Sequence, residues 1–199
     1  NVITFGKKQE NLKKLVFAST SEVYAGSLEN GTLKFPTPED SLLSLPKLTH
    51  PRTSYMLSKI YGEVMCLHSN LPIMIVRPHN FYGPRMGMSH VIPELISRSS
   101  NSDEHELEVY SPRHLRTFCF IEDAVSIISK LTFNKKTVGG TYNVGNNSEE
   151  ITMYDLAKKI IKINKSKQLI KKSKVTEGSP KRRIPDMKKT FEITGRHKF

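Results

Sequence analysis

Tyr55 and Lys59 stand four residues apart in Ser54-Tyr55-Met56-Leu57-Ser58-Lys59, a spacing that puts both side chains on one face of a helix. A tyrosine hydroxyl ordinarily titrates near pH 10 and is a poor base at neutrality, but an ammonium beside it favours the phenolate. The pair is a candidate proton acceptor. Upstream, Leu15-Val16-Phe17-Ala18 runs into Ser19-Thr20-Ser21-Glu22. An apolar run ended by hydroxyls reads as a buried parallel strand with Ser19 and Thr20 at its C-terminal end. That is the end at which open α/β sheets bind ligands. Taken singly, the Tyr-Lys spacing arises by chance and the hydroxyls cap the next turn; together they describe a site.

These residues need a scaffold, and the rest of the chain has the pattern of one. Residues 7–14 read as the end of a helix and 15–20 as a strand. Residues 27–53 read as a loop rich in Pro, Ser, Thr and Leu, long enough to be a lid. Ser54 is placed to cap the helix of Tyr55 and Lys59, whose inward face would be Leu57, Ile60, Val64 and Leu67. Residues 73–76 form a second buried strand, 107–110 a short one and 140–144 a third. Glu122 or Asp123 begins an apolar helix through Ala124, Val125, Ile127, Ile128 and Leu131. Thr152 and Asp155 have the spacing of a capping box before Leu156, Ile160 and Ile161, with Asp in place of the usual Glu or Gln. Strands alternating with helices predict an α/β fold with a parallel sheet.

At 199 residues, one domain with a sizeable core is the expectation. A hydrophobic content of 37% and a mean hydropathy of -0.42 fit a chain with a polar tail. There is no apolar run of about 18 residues and no signal-peptide pattern, which argues against membrane insertion and secretion. Cys66 and Cys119 are too few and too far apart for a zinc motif and read as buried thiols, so a cytoplasmic setting and no metal are expected. The net charge of +12 is uneven: residues 1–150 hold 16 Lys/Arg against 15 Asp/Glu, and residues 151–199 hold 15 against 4. A basic tail of this kind attracts nucleic acid or an acidic membrane surface; the plainer reading is a solvated lysine-rich face, and nucleic acid is not the expected partner.

Together with Ile73-Met74-Ile75-Val76-Arg77-Pro78-His79-Asn80-Phe81-Tyr82-Gly83-Pro84-Arg85, the strand end and the Tyr-Lys pair closely resemble one family. It is the extended short-chain dehydrogenase/reductases of the nucleotide-sugar epimerase, dehydratase and decarboxylase group. The resemblance runs from about the first residue to about Thr194. It implies a partial Rossmann-like parallel sheet with helices on both faces plus a small C-terminal substrate-binding lobe. Residues 1–150 would be the incomplete Rossmann-like catalytic portion with interleaved substrate-lobe segments, and 151–199 a basic segment of the lobe. It implies NAD as cofactor and a nucleotide-diphosphate sugar as substrate. It also exposes an absence. The 11 glycines include no G-x-x-G-x-x-G, so the chain is expected to start in the helix before the strand of Thr20. Without the part that grips the dinucleotide's pyrophosphate, it is expected to be catalytically silent alone.

Residue by residue, the resemblance makes Tyr55 the base that takes a sugar hydroxyl proton while hydride leaves the same carbon for NAD. Lys59 would bond the nicotinamide ribose, Thr20 would hydrogen-bond the reacting sugar oxygen, and Ser19 would lie beside them on the cofactor side. Asn80, Arg85, Arg116 and Arg183 would contact the nucleotide-sugar, a task suited to the guanidinium fork. On the plainer reading Asn80 satisfies a loop backbone and Arg85 a turn. His79 reads as structural, and Tyr24 and Tyr82 as packing residues.

The product turns on the positions after Thr20. A 4,6-dehydratase of this family is expected to place Asp then Glu there, one carboxyl to give a proton and one to take it; here Ser21 replaces the Asp. Thr20-Ser21-Glu22 resembles the triplet of uronate decarboxylases, in which the glutamate and an arginine at the Arg183 position assist loss of carbon dioxide from a 4-keto intermediate. Residues 79–88 and the long loop resemble less characterised epimerases. The reading puts an epimerase first and a decarboxylase second, with transient C4 oxidation by NAD shared between them. A homodimer through the Tyr55 helix is implied by the resemblance. A non-catalytic nucleotide-sugar-binding remnant and a basic nucleic-acid-binding protein are the remaining classes.

Overall fold

Two faces of one strand organise the fold. In the computed structural model, which describes residues 1–49, 52–101 and 104–199, β2 (Ile73–Pro78) is buried along nearly all its length. It lies between β1 (Leu15–Ala18) and β7 (Thr141–Val144) in a three-stranded parallel sheet. Successive strand side chains point to opposite faces. Ile73 and Ile75 therefore meet Leu15, Phe17 and Cys66 on one side, while Met74 and Val76 join Ala124, Ile127, Leu131, Val144 and Met187 on the other. Each apolar face needs a helix: α3 (Thr53–Leu67) covers the first, and α5 (Ile121–Phe133) with α7 (Lys188–Thr194) covers the second. A sheet covered on both faces explains why its strands read as continuous apolar runs rather than alternating ones.

A second apolar cluster gathers α4 (Val91–Ser99), β4 (Glu106–Val109), α6 (Met153–Asn164) and β9 (Leu169–Lys172) around Leu95, Leu107, Val109, Leu156, Ala157 and Ile160. Strands β4 and β9 pair in parallel. Helix α6 starts as its spacing predicts: the Thr152 hydroxyl accepts from the Asp155 N–H at 3.0 Å and donates to Asp155 Oδ2 at 2.6 Å. Between the clusters run two-residue strands. β5 (Leu115–Arg116) sits between β8 (Ile151–Thr152) and β10 (Arg182–Arg183), and β3 (Phe81–Tyr82) pairs with β6 (Cys119–Phe120).

Three expectations are corrected. The first helix, α1 (Val2–Gly6), ends before residues 7–14, which form turns and irregular backbone. Lys14 is drawn instead to the end of α5, where its ammonium donates to the carbonyls of Thr132 and Asn134, each at 2.7 Å, and to Thr137 Oγ1 at 2.6 Å. It satisfies carbonyls that every helix C-terminus leaves without partners. In α3, Arg52 rather than Ser54 occupies the N-cap, with no side-chain cap, while the Thr53 hydroxyl bonds the Lys47 carbonyl at 2.9 Å. The inward face of α3 is Met56, Glu63 and Cys66, and Val64 and Leu67 are exposed. That is a turn of one residue, about 100°, away from the expected stripe.

The long loop is fastened rather than lid-like over its middle. It begins within α2 (Ala25–Glu29), and Thr37 forms a parallel bridge with Pro185. Glu39 takes the Asn143 N–H at 2.8 Å on its carboxylate and the Arg77 guanidinium at 2.9 Å on its carbonyl. Its approach to α2 is so close that a Cβ on Gly26 would run into the Ser44 carbonyl, so only glycine fits there. Through Glu39 the loop covers the outer edge of β7. On the outer side of β1 no strand pairs among the described residues.

Candidate active site

Position along α3 decides what the helix brings to the sheet. Tyr55, Lys59 and Glu63 follow one another at four-residue steps and share a face. Tyr55 is 48% exposed near the start of the helix. Lys59 donates to the Ala18 carbonyl at 3.0 Å, at the end of β1, and its ammonium lies 5.8 Å from the centre of the Tyr55 ring. Glu63 is buried and takes Arg77 of β2 bidentately, Nε at 2.9 Å and Nη2 at 2.7 Å. It also accepts from the Ser19 hydroxyl. Arg77 reaches on to the Tyr24 hydroxyl at 2.7 Å, and Tyr24 to Asn143 Oδ1 at 3.1 Å. One polar chain thus ties the catalytic-type helix to the ends of all three sheet strands. Tyr24, expected only to pack, is a hydrogen-bonding member of it, its hydroxyl pushed up to about 12 by burial against the opposing pull of Arg77.

Thr20 lies two residues past β1, and its hydroxyl accepts from the Glu22 N–H at 3.2 Å, capping the helical turn Ser21–Tyr24. That turn aims Glu22 at two arginines. Arg52 Nη1 and Arg183 Nη2 both donate to Glu22 Oε1, each at 2.8 Å. Burial works against a charged Glu22, but Arg183 and Arg52 outweigh it and hold the carboxyl below its ordinary range. Arg116 is 8% exposed and donates to the Leu115 carbonyl at 2.8 Å and Ser179 Oγ at 3.1 Å. Burial first, and then the like charge of Arg183, push its guanidinium downward. Among the described residues the cluster gathers three guanidiniums around the Glu22 carboxylate, a setting suited to an anion.

The other assigned residues divide. Asn80, at φ 47°, donates to the Thr117 carbonyl at 2.9 Å and meets Arg183 Nη1 at 3.5 Å, which places its amide beside the cluster while it holds the loop. Ser19 is buried with its hydroxyl committed to Glu63, so it faces the structural network rather than open space. Arg85 is exposed, at φ 64°, and no ion pair joins it to the cluster among the described residues. His79 is fully buried, held neutral by burial with a pKa near 3, and its Nε2 meets Asn143 Oδ1 at 3.1 Å. Arg52 and Glu63 were not foreseen. Their spacing from Tyr55, three residues before and eight after, was the available signal. A concavity of about 450 Å³ between α4, α6 and Phe118, Phe120 and Tyr82 contains none of these side chains.

Known proteins carry the same arrangement of chain. The model of the NAD dependent epimerase/dehydratase family matches residues 1–145. The chain is 30% identical over 167 residues to dTDP-D-glucose 4,6-dehydratase from Dictyostelium discoideum, covering 79% of this chain and 36% of that one. It is 34% identical over 145 residues to UDP-N-acetyl-alpha-D-glucosaminuronate decarboxylase from Bacillus cytotoxicus, covering 69% and 42%. The crystal structure of dTDP-glucose 4,6-dehydratase from Bacillus anthracis str. Ames in complex with NAD aligns with a TM-score of 0.76 at 25% identity, over 96% of this chain and 58% of that one. This chain therefore spans between 36% and 58% of the length of these three proteins. With a Rossmann-like sheet and a family-model match over almost three quarters of the sequence, the chain is a member of the NAD dependent epimerase/dehydratase family.

Proposed function

We propose that this chain supplies the proton-transfer and substrate-holding part of a nucleotide-sugar epimerase that oxidises the sugar transiently at C4. The observation that carries the reading is the convergence of Arg183 and the buried Arg116 near the Glu22 carboxylate, beside the strand end of Thr20. A nucleotide diphosphate is an anion of the size and charge such a cluster takes. In this reading Tyr55 takes the C4 hydroxyl proton, Thr20 holds the same oxygen, and Asn80, Arg116 and Arg183 hold the diphosphate. Residues 1–150 are the catalytic portion with interleaved substrate-lobe segments, and 151–199 belong to the lobe.

The residues present fit one end of NAD. Lys59 spends one donor on the Ala18 carbonyl and an ammonium has three, so it can also hold a ribose hydroxyl beside Tyr55. No glycine-rich pyrophosphate turn lies within the 199 residues. When bound, NAD supplies the acceptor for the C4 hydride and its later return. Glu22, held ionised, has no proton to give a departing hydroxyl, which disfavours dehydration. Decarboxylation is the second reading, favoured by the Glu22–Arg183 pair at 2.8 Å. A homodimer is assigned to the outward face of α3, where Tyr61, Val64, Met65 and Leu67 are exposed. Val64→Asp should then convert a dimer to a monomer in sedimentation.

Calorimetry with UDP, dTDP, their glucose conjugates and NAD tests the reading. A nucleotide-sugar should bind, Arg183→Gln should weaken it about tenfold or more, roughly 1.4 kcal/mol, and NAD should bind weakly. If neither nucleotide binds, the substrate assignment is lost; tight NAD binding would overturn the claim that this chain lacks the dinucleotide grip.

A further inference from the structure

We propose that a small cavity behind Arg183 binds a single water molecule, and that His79, holding this water through Nδ1, is a positioning residue for the Glu22–Arg183 pair. The cavity has a volume of about 20 Å³ and is lined by His79, Ser21, Thr37 and Arg183 among apolar side chains such as Leu28 and Phe35. A water needs roughly 10–15 Å³ and two to four polar partners. His79 is 1% exposed, and its Nδ1 is a buried polar atom that meets no hydrogen-bonding partner among the described residues, a costly state for such an atom. The bonds around the ring fix which nitrogen carries the proton. The Asn143 amide nitrogen donates to the carbonyls of Thr37 at 2.9 Å and Asp186 at 3.3 Å, so its oxygen is turned toward Tyr24 and His79. An amide oxygen only accepts. His79 therefore carries its proton on Nε2, and since burial keeps the ring neutral, Nδ1 is a bare lone pair that calls for a donor.

The lining selects the occupant. A cation would stand against the guanidiniums of Arg182 and Arg183, an anion would meet the Nδ1 lone pair, and an apolar group would leave that lone pair unmet. Water suits all of them. It can give one proton to His79 Nδ1 and the other to Thr37 Oγ1, whose own proton is spent on the Lys34 carbonyl at 3.1 Å, and it can accept from Arg183 or from the Ser21 hydroxyl. Ser21 is 5% exposed, and its hydroxyl makes no hydrogen bond within the chain among the described residues. A water so held joins three elements: the end of β2 through the neighbouring His79, the turn that carries Ser21 and Glu22, and β10 through Arg183. Against burial, Arg183 is the strongest of the charges that hold the Glu22 carboxyl down, ahead of Arg52, and it acts through a contact of 2.8 Å. Loss of the water would let the guanidinium and the turn move apart, so the strength of that contact depends on His79.

The test is NMR on the isotope-labelled chain, with two substitutions that divide the imidazole between them. His79→Asn keeps an acceptor near the Nδ1 position and gives up the bond to Asn143, whereas His79→Gln keeps a donor toward Asn143 and gives up the acceptor. In the wild type, the ring nitrogens should report the Nε2–H tautomer with Nδ1 as a hydrogen-bonded acceptor, and the Ser21 protons should show cross-relaxation with a long-lived water. His79→Gln should lose that water and raise the Glu22 carboxyl pKa by about half a pH unit, and Ser21→Ala should do the same. His79→Asn should keep both the water and the Glu22 titration. The charges that face Glu22, Arg183 of β10, Arg52 at the start of α3 and Arg116 of β5, are untouched by all three substitutions. A wild-type ring with a free imine nitrogen, or with its proton on Nδ1, overturns the proposal. So does a Glu22 pKa that moves in His79→Asn and not in His79→Gln, which would assign the effect to Asn143. Should the His79 variants not fold, the wild-type spectra and Ser21→Ala decide it alone.

Discussion

Glu22 holds two guanidiniums on one oxygen, and both the chemistry and the acid stability of the site follow from that arrangement. Its carboxyl is held below the ordinary range in the folded chain, net of a burial effect in the other direction. A group depressed on folding gives stability that is present above its unfolded pKa and lost as the pH falls through its folded one. The melting temperature should therefore drop on acidification below about pH 4, and Glu22→Gln should remove that part of the drop. At neutral pH the same substitution strands Arg183 in a mostly buried position and should cost about 3 kcal/mol, less whatever exposure of Arg52 screens. Urea unfolding across pH measures both effects; an unchanged pH profile in Glu22→Gln would show that other carboxylates govern acid unfolding.

Helix α3 owes its pose to a charged pair where the sequence suggested an apolar stripe. Leu57, Ile60, Val64 and Leu67 repeat at helical spacing, and by hydrophobicity alone they would face in. The helix instead turns Glu63 inward because Arg77 is buried at the end of β2, and an unpaired buried guanidinium costs more than exposed leucine and valine side chains. A pairing fourteen residues apart in the chain, between a helix residue and one at the end of a strand, has no local signature. Elements with strong local signals were legible: the apolar β2, the Thr152–Asp155 cap of α6 and the periodic α5 stand close to their expected places. The two-residue strands that bear Arg116 and Arg183 were not, since two residues carry no period. The shared helix face of Tyr55 and Lys59 and the position of Thr20 just past β1 were readable from spacing and order, while the pairings of Arg52 and Glu63 needed the fold. Glu63→Gln should destabilise the chain by about 3–5 kcal/mol. The double change Glu63→Leu with Arg77→Met should recover most of that loss in denaturant melts, because it leaves no orphaned charge. Gly62→Ala tests the same helix from below: a Cβ there would strike the Phe17 ring of β1, so a helix-propensity gain of about 1 kcal/mol should be outweighed by overpacking. Phe17→Leu should rescue it.

Across the whole molecule, the excess positive charge has two different addresses. Much of the lysine charge of residues 151–199 is solvated, and Lys159, Lys171 and Arg182 are met by Glu149, Glu106 and Glu150. The arginine cluster is the address that is enclosed. Inorganic pyrophosphate at millimolar concentration should raise the melting temperature through binding to the native state alone, and Arg116→Met should abolish the rise without abolishing folding. Duplex DNA, in contrast, should show no gel shift at physiological salt.

The outer side of β1 carries a consequence for how the protein behaves in bulk solution. An apolar strand with no paired neighbour on one side among the described residues is a template for pairing between molecules, and at low salt the +12 charge opposes such encounters. Raising the ionic strength shortens the reach of that repulsion to about 10 Å at 0.1 M and leaves the strand border unopposed. Colloidal stability should then run opposite to the usual salting-in of a basic protein. Light scattering should grow with sodium chloride, and Ala18→Lys, at the exposed end of the border, should suppress the growth.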